Sequence, residues 1–153
     1  MGSRKSKPPS LSLAVQYASS EPALPTRPRL RRWVSRAVDA TITGSVQVTL
    51  RLVDAEEGRA LNRQFRHKDY ATNVLSFPYS PPPQVAGDLL LCVPVVLAEA
   101  RQQGKAVDAH FAHLVVHGML HLQGYDHDSG ADAARMEGRE SAILAQLGYP
   151  DPY

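Results

Sequence analysis

Five of the six histidines, His110, His113, His117, His121 and His127, fall within eighteen residues. The densest part of that run reads His117-Gly118-Met119-Leu120-His121-Leu122-Gln123-Gly124-Tyr125-Asp126-His127. Histidines four apart on a helix share one face, because 3.6 residues make a turn. Gly124 is a natural stop, since glycine readily takes the left-handed conformation that closes a helix. The chain can then turn and carry His127 back toward the first pair. Three imidazoles meeting at one point form a transition-metal site. The donor set fits one Zn²⁺ per chain, with a fourth position open for water. His113 and His121 lie roughly 12 Å apart along a helix at about 1.5 Å per residue. His113 and His110 therefore read as structural or supporting groups rather than ligands.

Three neutral imidazoles leave an ion its full charge, so it can lower the pKa of a water toward about 7 from 15.7 and polarise a phosphoryl or carbonyl oxygen. That chemistry supports hydrolysis without a dedicated carboxylate base. The spacing H-x3-H-x5-H is also that of the metzincin peptidases, which carry Glu directly after the first histidine as general base. Here that position is Gly118, so a zinc peptidase would need its base from elsewhere. Asp126, next to His127, reads equally as a group that orients a ligand and as a turn-former.

The run His117 to His127 resembles the signature of the YbeY family, the metal-dependent endoribonucleases of ribosomal RNA maturation. The resemblance extends to Leu61-Asn62, to Phe65-Arg66-His67-Lys68-Asp69, and to Thr72-Asn73-Val74-Leu75-Ser76-Phe77-Pro78. It also takes in Gly87-Asp88, Met136 with Glu140, and Leu147-Gly148-Tyr149. Residues 45 to 153 are covered well and the first 40 poorly. What the resemblance implies is a single-strand-specific, zinc-dependent endoribonuclease of the cytoplasm, active in 16S rRNA 3′ end processing and ribosome quality control. Implied partners are single-stranded and ribosomal RNA, the small ribosomal subunit and its assembly factors. It also implies that His117 and His121 serve catalysis as well as metal binding, and it places Arg66 at the family's functional arginine. A guanidinium suits that role, because it grips phosphate oxygens in a two-pronged fork. Arg63, one turn earlier, is the competing substrate-binding arginine. His67 stands where the family often has a small residue and could contact substrate. A third reading is a non-catalytic ribosome-associated factor, for which the metal would sit in a closed four-ligand site.

A chain of 153 residues is long enough to bury a proper core in one domain. No apolar run approaches the roughly 20 residues of a membrane helix, so no membrane partner is expected. The single Cys92 excludes an internal disulfide and fits a reducing compartment. Net charge is only +2, yet residues 1–36 carry +7 and the remainder −5. That asymmetry suits contact with a polyanion, through Arg29, Arg31, Arg32 and Arg36.

The elements that must position the histidines follow from periodicity and breakers. Residues 1–10 read as a disordered basic tail ahead of one domain over 11–153. Leu11, Leu13, Val15 and Tyr17 alternate as a first strand. An apolar helical stripe runs from Arg29 to about Thr41, and Val46 to Leu52 make a second strand. Asp54 with Glu57 suggests a capping box for a helix that buries Leu61 and Phe65. Strands follow at Val74–Phe77 and Leu89–Val93, joined by the stiff, proline-rich 78–83. Pro94 and Gly104 bracket a helix. Asp108 is the expected cap of the helix that runs to Gln123, and Asp128, Ser129 or Asp132 of the last one. The expected fold is α+β: a small mixed four-stranded sheet packed with about five helices, in the order β-α-β-α-β-β-α-α-α, with the metal pair on a zincin-like helix.

Overall fold

The computed structural model describes residues 10–153; the expected tail lies, apart from Ser10, outside the described residues. The chain runs β1 (Leu11–Ala18), α1 (Arg27–Arg36), β2 (Val46–Val53), α2 (Ala55–Arg66), β3 (Val74–Pro78), β4 (Val85–Cys92), α3 (Val93–Gln102), α4 (Val107–Leu122) and α5 (Gly130–Leu147). The order is the expected one. The sheet is mixed, with strand order β1-β2-β4-β3: β1, β2 and β4 are parallel, and β3 returns antiparallel along β4.

Side-chain alternation along β2 and β4 sets the layers. Val46, Val48, Leu50 and Leu52 of β2 are buried in one core with Val85, Leu89 and Leu91 of β4. Helix α4 lies in that core, packed against β3, β4, α1, α3 and α5. Its apolar residues surround the axis rather than forming one stripe, as befits a buried helix; Phe111, Val115, Val116, Met119 and Leu120 are all fully buried. Trp33 of α1 packs edge-on to Tyr149 beyond α5. The opposite face of the sheet carries a smaller cluster, Val53, Leu75 and Leu90, with Leu61 of α2 and Phe77 of β3 against it.

Several local expectations are corrected. The capping box at Asp54 and Glu57 does not form: the Asp54 carboxylate accepts from Ser19 and Ser20, and Glu57 pairs with Arg51 of β2 at 2.5 and 2.7 Å. Long-range partners outbid the local cap. Asp108 is not the cap of α4 either. Ala106 holds that position, and Asp108 sits in the first turn, salt-bridged to Arg29 at 2.6 Å, where its charge favours the helix dipole. Helix α1 spans Arg27–Arg36 rather than 29–41, with Pro28 in its first turn and a turn closed by Ile42 N–H on Asp39 beyond it. Strand β4 begins at Val85 rather than Leu89, because Val85 to Asp88 pair with Val46 to Thr49 of β2. Phe65, expected to be buried, is 56% exposed.

Candidate metal centre and active site

Helix α4 ends as the sequence suggests. Gly124 adopts φ +94, its N–H donates to the carbonyl of His121, and the Tyr125 N–H donates back to Leu120. This paired closure satisfies the last carbonyls of the helix and reverses the chain. His127 is thereby brought over the end of α4. One ring nitrogen from each of His117, His121 and His127 lies within 4.8 Å of the other two.

Each helical imidazole is held in one tautomer. The Nδ1–H of His117 donates to Glu140 Oε1 at 2.5 Å, and that of His121 donates to the Tyr125 carbonyl at 3.0 Å. A carboxylate and a carbonyl can only accept, so both Nδ1 atoms carry the proton and both Nε2 atoms present a lone pair. Those two Nε2 atoms stand 3.1 Å apart. Facing lone pairs at that distance repel unless a cation lies between them. Nitrogens around a tetrahedral ion with bonds of 2.0–2.1 Å are separated by roughly 3.3–3.4 Å, so the helical pair is already at ligating distance. His127 is an exposed loop side chain and can close the remaining gap. Burial, then the neighbouring His117 and His127, lowers the pKa of His121, which favours the neutral, ligating form. Three histidines able to hold a metal ion are therefore in place.

Glu140 is the residue that sequence reasoning left without a role. It is fully buried on α5, between Met136 and Leu144 on the same apolar face. Burial pushes its carboxyl up, but hydrogen bonds from His113, His117 and Tyr153 outweigh that and bring it down to about 2. The Tyr153 hydroxyl donates to its second oxygen. A carboxylate on an otherwise apolar helix face was the signal available in the sequence. His113 lies 3.5 Å from Glu140 and His110 bonds Glu99 at 3.0 Å. Asp126 accepts from the Asp128 N–H in a local turn.

The histidines open into a cleft of about 690 Å³. Arg66 lines it, as do Asn73, Ser76 and Asp128. Arg66 is in the last turn of α2, which His67 ends in the left-handed conformation at φ 58. Arg63 lines a separate depression with Arg59 and Asp69. Asn73 is oriented by Glu99, which accepts from its amide at 3.1 Å.

Gly118 lies against the sheet, beside Leu89 and Ser76. A Cβ there would stand 2.8 Å from Leu89 Cδ2 and 3.4 Å from Ser76 Oγ. Leu89 is fully buried and has little room to give way. Gly118→Ala gains about 1 kcal/mol of helix propensity but overpacks Leu89 at about 1–3 kcal/mol, so a net loss of up to about 2 kcal/mol is expected, read as a lower melting temperature.

The family model described as Endoribonuclease YbeY matches residues 16–148. The chain belongs to the YbeY endoribonuclease family. It is 52% identical to Endoribonuclease YbeY of Thiobacillus denitrificans, over 95% of this chain and 97% of that protein. Against Endoribonuclease YbeY of Stutzerimonas stutzeri it is 53% identical, over 94% and 91% respectively. The solution structure of a Thermotoga maritima protein superposes with a TM-score of 0.61 at 26% identity, covering 88% of this chain and 91% of that one.

In this YbeY family member the link from Glu140 to His117 is an orienting one, of the kind whose loss costs about 10–100-fold in metal affinity. Glu140→Gln should show that loss in a competitive zinc titration, with the three histidines still present. An unchanged affinity would mean that Glu140 serves packing alone.

Proposed function

We propose that this chain is a zinc-dependent endoribonuclease that cleaves single-stranded segments of ribosomal RNA precursors, including the 3′ end of 16S rRNA, and takes part in ribosome quality control. The observation that carries this reading is the union, in one cleft, of three convergent imidazoles and a guanidinium. An imidazole set suits zinc, and a bound ion would supply Lewis-acid polarisation and a more acidic water. The chain's own residues supply the rest. His117 and His121 are held with their lone pairs toward the cleft by Glu140 and the Tyr125 carbonyl. Arg66 binds the non-bridging phosphate oxygens and stabilises charge as it develops there. Asn73, held by Glu99, offers a fixed polar group to the substrate backbone.

The two competing readings each lack a part. A metzincin-like peptidase needs a base beside His117, and Gly118 has no side chain to supply one. A purely structural metal site needs four protein ligands; among the described residues the group comprises three. The small ribosomal subunit and its assembly factors are the partners in this reading. No helix among the described residues is long and apolar enough to cross a membrane, and the buried thiol of Cys92 accords with the cytoplasm.

The test is cleavage by the zinc-loaded protein of a single-stranded ribosomal RNA fragment, the same fragment in duplex, and casein. Cutting confined to the single-stranded RNA is expected. Casein hydrolysis with intact RNA would replace the proposal by the peptidase.

A further inference from the structure

Helix α2 has an apolar side formed by Leu61 and Phe65, but only Leu61 joins a core cluster. Phe65 is 56% exposed, and its ring meets Phe77 edge-to-face at 5.3 Å. Behind this pair, on the face of the sheet away from α4, lies a second cleft of about 540 Å³. Leu61 and Leu90 form its apolar part, with Thr49 and Arg51 of β2 beside them. Tyr79, 66% exposed, lines it together with Asp88. Phe65 and Phe77 line this cleft and the histidine cleft alike. They are the wall between the two.

We propose that the second cleft is a nucleobase subsite, in which Phe65 stacks the base of a nucleotide flanking the scissile phosphate. The proposal rests on the endoribonuclease reading and extends it to how the RNA strand is held. Phe65 and Arg66 are consecutive, so one turn of α2 presents a flat apolar ring beside a phosphate-binding fork. Single-strand sites combine the same two devices: charge along the backbone and aromatic faces under the bases. The polar groups of the second cleft suit a base edge better than a phosphate. Arg51 is engaged by Glu57 through two hydrogen bonds, so its charge is already answered. Asp88 is an acceptor that repels phosphate and attracts an exocyclic amine.

Phe65→Leu keeps apolar bulk at an exposed position and removes the aromatic face, so the fold and the zinc content should be unchanged. Steady-state cleavage is measured for the wild type and Phe65→Leu on a single-stranded RNA with one defined cleavage site. The same RNA lacking the base on either side of that site is measured in parallel. The expected loss is about 10-fold in kcat/KM for wild type on one of the two abasic RNAs, the order contributed by one base–aromatic stack. Phe65→Leu should lose about as much on the intact RNA and nothing further on that abasic one. Losses that multiply, or a variant equal to wild type on every RNA, would overturn the subsite while leaving the nuclease intact. Unchanged RNA kinetics with lost co-sedimentation on ribosomal subunits would mark the cleft as a protein-docking face and overturn it as well. A wild type that cuts none of the RNAs would overturn the endoribonuclease reading, and the subsite with it.

Discussion

Alanine at His121 should leave a folded protein that no longer holds zinc and cuts RNA more than about 10²-fold more slowly. Removing a partner that merely orients a ligand already costs about 10–100-fold in affinity or activity, and here the ligand itself is lost. His121 supplies one of the two nitrogens that stand 3.1 Å apart, and without it His117 and His127 are left as a pair. His117→Ala and His127→Ala should fail in the same way. His113→Ala should retain its zinc, since that ring turns to Glu140 and Tyr153 instead of the cleft. Metal analysis of the four purified variants reads this directly, and zinc loss in His113→Ala equal to the others would mean the ligand set is wrong.

The second large effect belongs to Arg66. If its guanidinium clamps a phosphate beside the metal, Arg66→Ala should lower RNA cleavage by about 10²-fold or more, the order for one preorganised electrostatic contact. Lysine should rescue only in part, because a point charge lacks the planar fork. Melting temperature and zinc content should stay near wild type in both variants, since the side chain lies in an exposed last turn. Arg63→Ala should cleave nearly as well as wild type, because Arg63 faces the Arg59 and Asp69 side of α2. A fully active Arg66→Ala would remove the residue from the mechanism, and an inactive Arg63→Ala beside it would move the role one turn back.

What the sequence made legible was whatever depends on neighbours along the chain. The four-residue spacing of His117 and His121, the stop at Gly124 and the return to His127 are local devices. They survive folding because α4 and its closing turn form by local rules. The alternation in β2 and the Pro94 to Gly104 bracket are of the same kind. What stayed hidden depends on partners far along the chain. Asp54 has the right type and place for a helix cap, yet Ser19 and Ser20, just past the end of the neighbouring strand β1, take its carboxylate. Glu140 lies twenty-three residues from His117, and only the packing of α5 on α4 brings them together. Phe65 fits its apolar stripe by period but meets Phe77 only edge-on and stays 56% exposed. That departure from pattern is where the sequence and the structure differ most, since Phe65 is left exposed beside the cleft that the histidines line.

One titration bears most directly on the claim that the three histidines form a single catalytic metal centre for RNA. The chain is stripped with a chelator and zinc is returned stepwise while single-strand RNA cleavage is followed. Activity should be absent in the stripped protein, rise in proportion to added zinc, and level off at about one ion per chain, with His121→Ala flat throughout. Cleavage that persists in the stripped protein, or that returns equally in His121→Ala, would contradict the account.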